Sequence, residues 1–258
     1  MARNHVSRLV NAPDPRSIIF TSCGSEADNR AVDIAVSNFL RAYPSNPPAL
    51  PHVITSVIEH PAILEYLSYL SDVENVIVYS SYNFRIVYLC CTHIIRCFNF
   101  VQKIEVTILP VDGEGFVSPD DVSKALKYNT ALVTIMHSNN EVGTLQPIRR
   151  IGDVIAAYNS SLRMTTGTSH EILFHSDGAQ SLGKVLIDVQ HENIDILTIV
   201  GHKFGAPKGK FYYCLLKVRN DTNKRIPCRY CGHVRERRHS CQPTDPWRWS
   251  GGWKACGY

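Results

Sequence analysis

With 258 residues, 44% of them hydrophobic and 19% charged, the chain is long enough for one large soluble domain with a buried core. Its formal net charge of +4 is too small to point to nucleic acid or to a membrane surface, and the basic stretch from Lys217 to Arg238 reads as a solvated face. Nine cysteines without regular spacing do not describe a disulfide framework, so a reducing, cytoplasmic setting is expected.

Met1 to Arg16 carries arginines and no acid before Asp14, and predicts no element. A short strand follows at Ser17 to Thr21, then a small-residue turn and an amphipathic helix on which Ala27, Ala31, Ile34, Ala35 and Phe39 recur at helical spacing. A Pro-rich loop, Pro44 to Pro51, leads to a strand at His52 to Ser56. Further strands are expected at Val106 to Pro110, Ala131 to His137, Ile172 to His175 and Ile194 to Val200, with helices at Pro119 to Leu126 and Ile148 to Tyr158. Such alternation predicts an α/β layered domain with a mostly parallel sheet. Two stretches break the order. The run from Asn75 to Val101 is rich in Val, Ile, Tyr, Phe and Cys, but Arg85 and Arg96 within it speak against a membrane span and for an irregular insertion at about 73–103. From residue 217 to 258 apolar periodicity disappears and Arg, Cys, Trp and Gly dominate, so the domain is drawn at 1–216 and the rest as a tail.

The chemistry-bearing residues fall where strands end. Lys203 follows an apolar strand and precedes a Gly/Pro loop, and carboxyl ends of strands are where α/β domains bind ligands. A lysine behind a dry strand has an amine suited to attack an aldehyde, although a solvent-facing lysine is the commoner case. Asp177 and Gln180 follow the strand Ile172 to His175; an aspartate there can keep a pyridinium nitrogen protonated, and Asp-Gly is equally a turn pair. Thr21-Ser-Cys-Gly-Ser-Glu26 joins a strand to a helix and offers free N–H groups and the Ser25 hydroxyl to an anion, or simply an N-cap by Ser22 or Ser25. His60 can lay its ring on an aromatic system, and Asn139-Asn140-Glu141 brings amides to the same edge or forms a loop turn.

Five of these segments, Thr21-Ser-Cys-Gly-Ser-Glu-Ala-Asp-Asn29, Glu59-His60, Asn139-Asn-Glu-Val-Gly143, His175-Ser-Asp-Gly-Ala-Gln180 and Gly201-His-Lys-Phe204, resemble in order the motifs of the class V aminotransferase group. The likeness is greatest to cysteine desulfurases and selenocysteine lyases, and Leu197 to Phe204 looks most like the lyase branch. The resemblance implies a pyridoxal 5'-phosphate (PLP) enzyme of fold type I, usually a homodimer, that takes sulfur or selenium from cysteine or selenocysteine and leaves alanine. It implies that Lys203 holds the cofactor and moves protons, that His60 stacks on the ring and assists them, and that Asp177 pairs with the ring nitrogen. Asn140 and Gln180 would face the ring hydroxyl, and Gly24, Ser25 and His202 the phosphate. No metal is implied.

The chain departs from the family pattern at Cys23, Ser25 and Val200, where the family usually has Gly, Thr and often Ser. The amino-terminal segment reads as shortened, and the family's small carboxyl-terminal domain, with its catalytic cysteine and its substrate-gripping arginine, as missing; Cys214, Cys228, Cys231, Cys241 and Cys256 lie in no matching context. Slow turnover is therefore expected. Two rival readings are a PLP-fold remnant that acts only as a dimer partner, and a zinc module in the tail built on Cys228-x-x-Cys231 with His233, His239 and Cys241.

Overall fold

A computed structural model describes residues 2–43, 47, 49–72, 103–167, 170–206 and 212–216, all within one compact unit, Met1–Asn220. Residues 73–102 of the expected insertion, and the 217–258 tail with its zinc reading, lie outside the described residues.

The elements run α1 (Ala2–Leu9), β1 (Ile18–Thr21), α2 (Gly24–Ala42), β2 (His52–Ser56), α3 (Pro61–Asp72), β3 (Glu105–Leu109), α4 (Pro119–Ala125), β4 (Thr130–Thr134), α5 (Ile148–Thr166), β5 (Leu173–Asp177), β6 (Ile196–Val200) and β7 (Tyr212–Leu216). The strands form one sheet in the order β1-β7-β6-β5-β4-β2-β3. β7 runs antiparallel to both β1 and β6, and the remaining pairings are parallel. The expected α/β architecture is therefore present.

β2, β4 and β6 are buried at every position, because helices cover both faces of the sheet and leave no side of these strands for water. Adjacent strand residues consequently serve opposite layers. Val53 and Leu132 pack with Val32, Ala35 and Val36 of α2 and with Ile63 and Leu67 of α3. Their neighbours Ile54 and Val133 join Val6 and Val10, Val122 of α4, and Ile151 and Ile155 of α5. Phe174 of β5 is fully buried in that second layer, where truncation of a phenylalanine to alanine costs about 3–5 kcal/mol.

The structure adds three elements to those the sequence pattern predicts. Met1 to Arg16 contains α1, whose Val6 enters the core. Pro61 opens α3, and β7 inserts between β1 and β6. The fourth predicted strand is shorter than expected, ending at Thr134, and Ile135 to Asn139 leave the ladder as buried loop; the helix expected to stop at Tyr158 continues to Thr166 and ends on Gly167 in the left-handed region at φ 61°.

Candidate active site

The carboxyl ends of β1, β2, β4, β5 and β6 bring together the turn Ser22 to Ser25, the loop Val57 to His60, the loop Ile135 to Gly143, the turn Gly178 to Gln180 and the turn Gly201 to Gly205. Parallel strands deliver all five to one edge. The motif residues thus come together from positions up to about 180 residues apart because of topology, not sequence proximity.

Asp177, the last residue of β5, is 6% exposed. Burial raises its pKa; the Ala179 N–H donating to Oδ1 at 2.9 Å and the positive charge available on His60 and Lys203 oppose that rise. One buried carboxyl therefore feels groups from the loops after β2 and β6 together. Gly178 allows the turn that follows: a Cβ there would meet Leu197 Cδ1 at 3.0 Å and the Thr198 carbonyl at 3.2 Å.

His60 is exposed and immediately precedes α3. Its carbonyl accepts from the N–H groups of Ile63 and Leu64, and its Nδ1 accepts from the Ala62 N–H at 3.1 Å. An Nδ1 committed as acceptor leaves Nε2 as the protonated nitrogen of the neutral ring. The adjoining Glu59 ties two loops together, its Oε1 accepting from Ser56 Oγ and from the Met136 N–H, each at 2.7 Å. Burial pushes the Glu59 carboxyl up to about 8, so it is largely a neutral acid at pH 7.

At the start of α2 the N-cap is Cys23, not Ser22 or Ser25: its Sγ accepts from the Glu26 N–H at 3.3 Å, while Glu26 Oε2 accepts from the Ser22 N–H at 2.5 Å. This reciprocal pair uses two donors of the first turn. Ser25 remains at the mouth of the helix with its hydroxyl, and the partial positive charge of a 19-residue helix favours an anion there. Gly24 lies against the end of β6, where a Cβ would approach Val200 Cγ2 to 3.0 Å. The helix start and the lysine turn are thereby neighbours.

Lys203 and His202 sit in a 3-10 turn, Gly201–Phe204, closed by Gly205 at φ 82°. Both side chains are exposed, so the dry surroundings expected for Lys203 are not what the structure shows; the turn swings them out of the sheet beyond Val200. Gln180 is half-buried, its Oε1 accepting from Lys184 Nζ at 3.2 Å, and Asn140 is exposed. The buried amide of the pair is Asn139, whose Oδ1 accepts from the Glu141 and Val142 N–H groups and holds the loop on which Asn140 stands.

Sequence reasoning missed the polar layer under this edge. His175, fully buried, places Nδ1 2.8 Å from Thr134 Oγ1 and Nε2 3.0 Å from Thr198 Oγ1, and burial lowers its pKa to about 3. Asp28 of α2 is 3% exposed, with Oδ1 3.8 Å from His175 Nε2. Helical periodicity marks position 28 as inward-facing, one residue after Ala27, and that was the available signal.

An exposed lysine amine, a buried carboxyl beside it and a helix mouth with a hydroxyl form a donor set for a ligand that joins an aldehyde, a basic ring nitrogen and a phosphate. Among the described residues no group of three or more His, Cys, Asp or Glu could hold a metal ion, and no helix is long and apolar enough to cross a membrane.

The family model described as Aminotransferase class-V matches residues 74–256. Cysteine desulfurase IscS of Clostridium botulinum is 37% identical over 210 residues, covering 81% of this chain and 40% of that protein. The mitochondrial cysteine desulfurase of Candida albicans is 33% identical over 208 residues, covering 81% and 33%. Of solved structures, SspA in complex with cysteine matches with a TM-score of 0.60 at 32% identity, over 86% of this chain and 49% of that one. DndA from Streptomyces lividans matches with a TM-score of 0.60 at 28% identity, over 87% and 49%. The chain spans less than half the length of these relatives.

Proposed function

The chain belongs to the class-V aminotransferase family, whose members depend on PLP, and from that premise we propose that its carboxyl sheet edge binds PLP and removes sulfur or selenium from cysteine or selenocysteine to leave alanine. The observation that carries the proposal is that His60 and Lys203, from the loops after β2 and β6, both bear on the buried carboxyl of Asp177 at the end of β5. PLP, when bound, supplies an aldehyde for a lysine amine and an electron-withdrawing ring that stabilises charge on the substrate carbon.

The roles of the chain's own groups follow from their chemistry. Lys203 would hold the cofactor through its amine and is the group placed to move the proton at the substrate carbon. Asp177 would pair as a carboxylate with a protonated ring nitrogen, a pairing that would offset the burial that otherwise favours its neutral form. His60 would lay its ring against the cofactor and offer Nε2 for proton transfer, its Nδ1 being held by the Ala62 N–H. Gly24, Ser25 and His202 would hold the phosphate, and Asn140 and Gln180 would face the ring hydroxyl. A homodimer is part of the proposal, with sedimentation as its check.

We propose as well that these 258 residues turn over slowly. The five loops of the edge contain no arginine to grip a carboxylate, and Cys23, used as a helix cap, is their one thiol. The test is alanine release from cysteine and from selenocysteine in the presence of PLP, with Lys203→Ala alongside. Slow release that Lys203→Ala abolishes is expected. Release that survives the substitution would overturn the assignment, whereas PLP binding without any alanine would leave a non-catalytic dimer partner. The ratio of the two substrates decides between desulfurase and lyase.

A further inference from the structure

The carboxyl edge rests on a line of buried polar groups that the proposed chemistry does not use. Thr134 Oγ1 lies 2.8 Å from His175 Nδ1, His175 Nε2 lies 3.0 Å from Thr198 Oγ1, and Asp28 Oδ1 lies 3.8 Å from the same Nε2. The line crosses β4, β5, β6 and α2, the four elements that carry Asn140, Asp177, Lys203 and the Gly24-Ser25 turn. His175 is two residues before Asp177 on β5, and Thr198 is paired with Asp177 across the β5–β6 ladder. Asp28 closes the line from the helix side.

We propose that Asp28 is a positioning residue for the cofactor edge, acting through Thr198 and His175 on the strands that carry Asp177 and Lys203. The inference rests on the PLP reading above and deepens it. Asp28 has little reason to be an acid for stability alone: it is almost wholly buried, and its Oδ1 has no hydrogen-bond partner, an arrangement that costs about 1–3 kcal/mol.

The groups that face it also decide its charge. Asp177 from β5 would repel a carboxylate there, Glu59 from the loop after β2 is itself largely neutral, Cys23 from the helix cap and Thr198 from β6 present a thiol and a hydroxyl, and His175 is neutral. Burial first, and then the charge of Asp177, hold the Asp28 pKa well above its ordinary value. A neutral Asp28 leaves Asp177 as the carboxylate that would meet the ring nitrogen, while its approach to His175 at 3.8 Å sets α2 against β5. Ionisation of Asp28 would place a second negative charge beside Asp177.

The test is PLP affinity of the full chain, read from the absorbance of bound cofactor, for the unsubstituted protein, Asp28→Asn, Asp28→Ala and Thr198→Val. Asparagine mimics the neutral acid and should keep affinity within about threefold, whereas alanine should weaken it by about tenfold or more, the scale of one lost polar contact. Thr198→Val, which keeps the side-chain shape, should weaken it in the same direction should Asp28→Ala fail to fold. Raising the pH should weaken binding to the unsubstituted chain more than to Asp28→Asn, an effect that loss of packing would not produce. Equal affinity of Asp28→Ala and the unsubstituted chain, or equal weakness of Asp28→Asn and Asp28→Ala, would overturn the inference. Absence of PLP binding by the unsubstituted chain would instead overturn the PLP reading beneath it.

Discussion

The sheet uses one device twice, at opposite ends. At the amino end His52, the first residue of β2, sets Nδ1 2.9 Å from Thr130 Oγ1 of β4 and Nε2 2.8 Å from Thr107 Oγ1 of β3. Toward the carboxyl end His175 of β5 bridges Thr134 of β4 and Thr198 of β6 in the same way. A neutral imidazole has one donor and one acceptor, and a hydroxyl can be either, so each ring is satisfied without charge. Burial lowers both pKa values, to about 4 for His52, with Lys127 adding to the fall, and to about 3 for His175. What differs is the next neighbour. Thr130 accepts from the Lys127 N–H at 2.8 Å and so serves the turn into β4, whereas His175 has Asp28 Oδ1 3.8 Å from its Nε2 and Thr198 pairs with Asp177 across the ladder. The same pin is a sheet fastening at one end and part of a site at the other.

The sharpest way to break this comparison is His175→Leu. It leaves the Thr134 and Thr198 hydroxyls without their imidazole, at an expected cost of about 2–4 kcal/mol in urea unfolding, and PLP affinity should fall with it. His52→Leu should cost about 1–3 kcal/mol by the same measurement and leave PLP affinity unchanged. An equal loss of cofactor binding in both variants would erase the distinction between the two ends.

Acid sharpens the likeness between them. Each histidine has a folded pKa below its unfolded value of about 6.5, so below that pH the unfolded chain binds more protons than the folded one. Stability should therefore decline as pH falls from about 6.5 toward the folded values of about 4 and about 3, and the double variant His52→Gln with His175→Gln should flatten that decline in urea midpoints measured across the range. The smallest effect is expected at Tyr66→Phe. Tyr66 Oη donates to Asp33 Oδ1 at 2.5 Å, joining α3 to a half-buried acid of α2, and Asp33 is raised to about 6 chiefly by desolvation. Loss of that bond should cost about 1 kcal/mol with no change in PLP affinity, in contrast with Asp28 on the same helix.

Much of the framework is written in local pattern. Ala27, Ala31, Ala35 and Phe39 repeat at helical spacing and are all buried on α2, and His52 to Ser56 forms a strand at the predicted bounds. The five motifs are legible because each sits at a strand end, and the sheet order then brings those ends to one edge. What escapes the sequence depends on partners far along the chain. Tyr212 to Leu216 carries no mark of its direction, which is set by pairing with β1 and β6. Asp28 looks like any polar residue of an amphipathic helix until Thr198 and His175, about 150 residues later, bury it. Cys23 caps α2 in place of a serine, its extended backbone, φ −156° and ψ 167°, letting Sγ accept from the Glu26 N–H. The exposure of Lys203 comes from the short turn beyond β6, whose geometry no apolar pattern records.

The central claim is that this edge binds PLP through Lys203, and the visible absorption spectrum of the full chain with added PLP, beside that of Lys203→Ala, tests it most directly. The account predicts a long-wavelength band of lysine-bound cofactor in the first spectrum and none in the second. A band of equal strength in both would place the cofactor on another lysine and contradict the account.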